Sequence, residues 1–403
     1  MKTWPIAAAL ALNLVACSTP YKPAVFAAEP GASTDFRGIA SLLGPAPLDV
    51  LMVHGMCTKH EDWGSAALAS LFKALGPGTV LAGGDEKPVQ VPGTGITVVR
   101  QSFQTAQGTV RANALRWSGL TAPLKRQLCY DKTHRPIEPG VGPSAEVCTA
   151  DAEATPGYPY RRASLNRTLK DGLMNDCLAD AIVYQGRARD DINAQMQQAI
   201  LFALDSSGLQ KTGVPGNRAA SLANAQEHLV AVTSSLGSKI LFDALFKMLG
   251  SRDPDTARAA DRTVDRTSLV FMRANQMPIL ALADSDLAGN QARSLAADAS
   301  GYPPDPLAAL AERARRKAPL APQAADRLQV VAFTDPNDVL SYVLAPSPHA
   351  RSAGYAAIDV VLSTAPSYFG LVALPQDVHG NYDADEEVQR LIFCGHGEQA
   401  ACR

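Results

Sequence analysis

An α/β fold, with a mostly parallel central sheet flanked by helices, is the class this sequence predicts, and three observations carry it. Residues 228–245, HLVAVTSSLGSKILFDAL, pass from an apolar strand-like run directly into a helical pattern. Two further β-rich runs, Leu48–Val53 and Leu328–Phe333, each stop abruptly at a polar loop, the first at His54-Gly55-Met56 and the second at Thr334–Asp338. Hydrophobic residues make up 46% of the 403, ample for a buried sheet. Such a length can hold two domains, but α/β enzymes commonly use it as one core with insertions.

The elements follow in order. After the Leu48–Val53 strand, residues 66–75 have helical spacing, and 96–103 and 109–117 are two more strands. From 120 to about 162 the pattern dissolves into Pro, Gly and basic residues, including KTHRPIEPGVGPS, so this is a loop-rich insertion. Residues 176–204 form a helix in which 179–184 is a short buried turn or strand. A strand at Ser268–Met272 follows the 228–245 unit. The Ala- and Arg-rich stretch 283–327, with helical spacing around Leu307–Arg313, is expected to be a solvated surface helix. Val378-His379-Gly380 then precedes a last helical stretch. No internal repeat or heptad run is present.

The turn at Thr233-Ser234-Ser235-Leu236-Gly237 has the outline of a nucleophile elbow. A serine on a sharp strand-to-helix turn holds its hydroxyl clear of its neighbours, with the next backbone N–H aimed at the same point. Small residues are needed on either side of it, and Gly237 supplies one; Thr233 stands where the usual G-x-S-x-G pattern has its first glycine. The competing reading is an ordinary helix start with Ser234 or Ser235 as N-cap. The order of the other pieces favours the elbow: serine at 235, acid in FTDPNDVLSY, histidine in VHGNYDADEEVQRLI.

With VHGMC, TSSLGSKILFDAL and those two segments in this order, the chain resembles the α/β-hydrolase superfamily, in particular its serine esterases and lipase-like members, over roughly residues 45–396. The resemblance implies Ser235 as nucleophile, His379 as base and Asp338 as acid, an oxyanion hole from the backbone amides of Met56 and Leu236, and a structural His54-Gly55 turn beneath it. Asp335, more suited to starting the turn at Pro336, and Asp284 or Asp286 are rival acids. The other histidines, 60, 134, 228, 349 and 396, have no partner pattern and are read as surface or packed residues. The 181 residues from His54 to Ser235 exceed what minimal relatives use, so the insertion at about 119–227 is expected to be a lid or cap, suited to a bulky or apolar acyl group. The reaction implied is cleavage of an acyl ester or lipid-like substrate through an acyl-enzyme. The alternative, from a different class, is a non-catalytic member of the same fold that holds a partner or polymer at the cell envelope.

Several classes are disfavoured. A formal net charge of −2 offers no basic field for nucleic acid, and neither a Cys-x-x-Cys nor a paired-His spacing offers a metal site, so no cofactor is expected. Met1-Lys2 and the apolar run Ile6–Ala16 read as a signal peptide over 1–16, too short for a permanent span. Leu14-Val15-Ala16-Cys17 looks like a bacterial lipobox. That likeness implies lipidation at Cys17, membrane attachment through the lipid, and a place at the outer membrane facing the periplasm, with 17–40 a flexible tether and 41–403 the folded domain. The six remaining cysteines suit an oxidising compartment and permit 15 pairings. Short loops favour Cys129–Cys148 and Cys394–Cys402, leaving Cys57 for Cys177.

Overall fold

The computed structural model describes residues 17–76, 78–131, 160–205, 217–285, 301–317, 328–344 and 354–402. In chain order its strands are β1 (Cys17–Ser18), β2 (Val25–Ala28), β3 (Phe36–Arg37), β4 (Leu48–Val53), β5 (Val80–Gly84), β6 (Val89–Gln90), β7 (Thr97–Gln104), β8 (Thr109–Arg116), β9 (Leu229–Ser234), β10 (Thr267–Arg273), β11 (Gln329–Thr334), β12 (Ala356–Val361), β13 (Ser367–Tyr368) and β14 (Gly395–His396). One ten-stranded sheet runs β2-β12-β11-β10-β9-β4-β8-β7-β5, with β6 also on β7. The six strands from β12 to β8 are parallel, and antiparallel strands extend both edges. The protein is therefore α/β with a mixed, largely parallel sheet.

The central strands have no polar face because both faces are covered. All six residues of β4, β9 and β11 are buried. Leu51, Val53 and Ala231 point into one core, with α3 (Arg189–Ala203), α4 (Leu236–Leu249), α5 (Pro254–Arg266) and α6 (Pro306–Lys317). Val50, Met52, Val230 and Val232 point into the other, with α1 (Trp63–Ala74) and α8 (Glu386–Cys394). Alternate side chains of one strand thus enter opposite layers, the period-two rule of a pleated strand.

Four expectations are corrected. The 17–40 segment is not a free tether: β2 pairs with β12 and becomes a sheet edge, and Phe36 is fully buried. An unpaired β12 edge and two phenylalanines, Phe26 and Phe36, give this stretch more to bury than its Ala- and Pro-rich composition implied. The 119–227 insertion does not all stand apart from the core as a lid would, since Ile192, Met196 and Ile200 of α3 pack in the core against α4. The helix around Leu307–Arg313 is α6, and it is not a solvated surface element: Leu307, Ala308, Leu310 and Ala311 are buried against α4. The 176–204 stretch is divided, with Leu169–Leu178 a π-helix running into α2 (Ala179–Gln185), a break at Gly186, and then α3. Residues 179–184 are thus helical.

Chain direction across the sheet marks where a site belongs. From β4 the chain passes to β8 on one side, and from β9 it passes through β10, β11 and β12 on the other. The switch lies between β4 and β9, and in open α/β sheets the crevice beyond the carboxyl ends of the strands at such a point is where ligands bind. His54-Gly55-Met56 and Ser235 leave those two strand ends.

Candidate active site

Ser235 joins β9 to α4 with φ 51° and ψ −131°, a backbone conformation that non-glycine residues seldom adopt. The surroundings hold it there. Its N–H donates to the Arg273 carbonyl at 2.8 Å, and the Ser238 N–H returns to the Ser235 carbonyl at 3.1 Å. The two adjacent glycines are needed for close approach: a Cβ on Gly237 would lie 2.1 Å from the His54 carbonyl oxygen, and one on Gly55 would lie 2.7 Å from Ser235 Cβ. Thr233 fits where a glycine is usual because it is fully buried and its hydroxyl meets Ser238 Oγ at 2.8 Å.

His379 sits in the last turn of α7 (Pro375–Gly380). Its Nε2 is 3.2 Å from Ser235 Oγ, and its Nδ1 is 3.0 Å from both oxygens of Asp338. Asp338 is buried; it also accepts the Leu340 N–H at 3.0 Å and the Tyr382 hydroxyl at 3.2 Å. Burial, then the neighbouring Asp338 carboxylate, raises the Tyr382 pKa well above its ordinary value, so this phenol stays a donor. The rival acids are occupied elsewhere. Asp335 accepts the N–H groups of Asn337 and Thr364 at 2.8 and 2.7 Å, and Asp284 pairs with Arg189 and Lys239. Asp286 lies outside the described residues.

No family description, curated protein or solved structure matches the chain.

The loop after β4 completes the site. His54 is fully buried, stacked on Trp117 with ring centroids 5.0 Å apart and edge-on to Trp63. Its Nδ1–H donates to the Gly55 carbonyl at 2.5 Å while Nε2 accepts the N–H groups of Trp117 and Ser118 at 3.0 and 3.2 Å. Burial, then the charge of Lys59, lowers its pKa well below the usual value, so the ring is neutral and structural. Among the described residues neither the Met56 N–H nor the Leu236 N–H is used by the fold, and Leu236 opens α4, where an N–H has no partner in the helix.

A buried ion cluster that sequence reasoning missed anchors this loop. Cys57 N–H donates to Asp180 Oδ2 at 2.8 Å, and Thr58 donates its N–H (3.1 Å) and hydroxyl (2.6 Å) to Asp176. Lys125 bridges the pair, with Nζ 2.7 Å from Asp176 and 2.9 Å from Asp180. Burial, partly offset by Lys125, raises the Asp180 pKa to about 6. The expected Cys57–Cys177 disulfide fastens the same loop to the π-helix. Cys394–Cys402 is also present; Cys148, the expected partner of Cys129, lies outside the described residues. Cys57, Asp176 and Cys177 have metal-ligand proximity, but the disulfide takes both sulfurs out of that role. The one sequence signal for the cluster is an i, i+4 aspartate pair flanking Cys177.

A second missed group lies beneath Ser235. Arg273, fully buried, donates Nε–H to Ser234 Oγ at 3.0 Å and pairs with Asp383 at 3.0 Å, and Asp383 accepts the Trp63 indole N–H at 3.2 Å. Burial opposes ionisation of Asp383, but Arg273, Lys59 and Trp63 outweigh it and hold its carboxyl below the usual range. A cavity of about 220 Å³ lies above this group, lined by Met56, Lys59, Leu173, Ser235, Gln376 and His379 among others. Larger and more open depressions, between Phe246 and Arg316 and around Lys22 and Arg390, hold no paired nucleophile and base. Of the remaining histidines that are described, His228 bonds Ser268 Oγ and His396 stacks on Phe26.

Proposed function

We propose that the protein is a serine hydrolase of the α/β-hydrolase kind that cleaves an acyl ester through an acyl-enzyme, held at the cell envelope by a lipid on Cys17. The observation that carries this reading is His379, with Ser235 Oγ at one ring nitrogen and the Asp338 carboxylate at the other. As Ser235 Oγ attacks the acyl carbon, its proton passes to Nε2. Asp338 accepts the Nδ1–H, which fixes the tautomer and stabilises the imidazolium. The developing oxyanion takes the N–H groups of Met56 and Leu236, which the fold leaves unused. Collapse expels the alcohol, which takes the proton from Nε2. Water then attacks the acyl-enzyme with His379 again as base, the acid departs, and Ser235 is restored.

The cavity bounds the substrate. About 220 Å³ walled by Lys59, Gln376 and the Cys57–Cys177 bridge suits a short acyl group better than the bulky one a lid first implied. The test is a series of nitrophenyl esters from short to long acyl chains, with Ser235→Ala as control. Hydrolysis should peak at short chains and vanish in the variant. Equal rates for both proteins would refute the reading.

Attachment rests on the lipobox and on Cys17, which is exposed and unbridged. Among the described residues no helix is long and apolar enough to cross a membrane.

A further inference from the structure

The chain after β12 forms a small hairpin with an unusual tip. β13 turns at Phe369 and Gly370, with φ 55° and 65°, and the Tyr368 N–H donates to the Val372 carbonyl at 2.7 Å. Positive φ at both central positions favours Asn-Gly or Asp-Gly. Phenylalanine is a poor choice for the turn itself, and Phe369 is 59% exposed. Leu371 beside it is 88% exposed, and Val372 and Tyr368 are exposed as well. No charged residue occurs between Asp359 and Asp377.

What covers this tip is indicated by its neighbour. The other strand of the small sheet is β1, and its register places Cys17 opposite Tyr368. Paired residues across an antiparallel ladder lie about 5 Å apart. Residues 1–16, which include the apolar run Ile6–Ala16, lead directly into Cys17. An acyl chain on Cys17 that enters the bilayer would bring the hairpin to the lipid surface. Three residues after Val372 comes α7, which contributes Gln376 and His379 to the cavity wall.

We propose that the Tyr368–Val372 hairpin inserts its apolar tip into the lipid surface beside Cys17 and so sets the orientation of the Ser235 cavity relative to the bilayer. The occupant is lipid and the contact is apolar, so it is insensitive to salt. The proposal rests on the lipid-anchor reading of Cys17.

The experiment uses residues 17–403 with Cys17→Ser, which have neither leader nor acyl group, and phosphatidylcholine vesicles in a sedimentation assay. The protein is expected to partition to vesicles equally at low and high salt. Adding Phe369→Asp and Leu371→Asp should lower the partition about tenfold or more with the melting temperature unchanged. No partition, or the same partition in the aspartate variant, overturns the proposal. So does self-association that the aspartate variant abolishes without any vesicle binding, which would make the hairpin an interface between copies. The mass of the Cys17 peptide from the native protein tests the anchor separately. An unmodified Cys17 with intact partition would refute the anchor alone, and an acylated Cys17 without partition would refute the hairpin alone.

Discussion

Asp180 accepts the Cys57 N–H at 2.8 Å, so a fully buried carboxylate holds the backbone next to Met56, the residue proposed to bind the oxyanion. Deleting an oxyanion donor outright costs about 10² to 10³ in turnover. Asp180→Ala leaves the Met56 N–H in place but frees its loop, so a kcat loss on the order of 10-fold to 100-fold with little change in KM is expected. Lys125→Met is predicted to act on stability, since it leaves two carboxylates buried without their counter-charge, at a cost of about 3–5 kcal/mol. Denaturant unfolding beside steady-state kinetics separates the two effects.

Asp338→Asn should reduce turnover by a factor on the order of 10⁴, because an amide facing Nδ1 favours the wrong imidazole tautomer. Asp335→Asn should act on stability instead, by weakening the acceptor for the Asn337 and Thr364 N–H groups. Kinetics of both variants on one ester would reveal a reversed ranking.

The depressed pKa of His54 predicts acid sensitivity. The unfolded chain takes a proton on this ring near its ordinary value, about 6.5, whereas the folded protein does not until well below it. Its contribution is therefore fully present above about pH 6.5 and is lost as pH falls below that value. Asp180 acts in the opposite sense: folded, it binds its proton at about 6, whereas the unfolded carboxyl does so near 3.9, so between these values it favours the folded state as pH falls. Urea midpoints from pH 7.5 to 4.5 should fall with a slope that Asp180→Asn steepens and His54→Gln flattens.

Gly237→Ala is predicted to prevent the elbow from closing, since the new methyl group would meet the His54 carbonyl oxygen, a backbone atom, at 2.1 Å. Overpacking of this kind costs about 1–3 kcal/mol or more. Soluble yield and melting temperature should both drop, whereas Gly44→Ala, with open space around it, should change neither.

What was legible in the sequence was local. β4, β9 and β11 are unbroken apolar runs because both faces are covered, and the strand-to-helix turn at Ser235 is written within a few residues. The 41-residue separation of His379 from Asp338 carried no geometry, yet strand order supplied it. What was missed depends on distant partners. β2 finds its pairing with β12 more than 300 residues away, as in Val25 with Val361, and nothing near Val25 announces it. β12 itself, AAIDVV, is interrupted by Asp359, which is fully buried and accepts the Leu344 N–H. Asp176, Asp180 and Lys125 look like solvated charges until the fold brings them together, and α6 hides its apolar face among arginines.

Activation of Ser235 by His379 and Asp338 can be read from the adduct formed by a fluorophosphonate probe, located by peptide mass and timed in the wild type, Ser235→Ala and His379→Ala. One phosphonyl group on Ser235 in the wild type, none at any serine in Ser235→Ala, and labelling slowed by orders of magnitude in His379→Ala are the predicted results, with all three proteins equally folded. An unlabelled wild type, or a label at Ser234 or any serine other than Ser235, would contradict it.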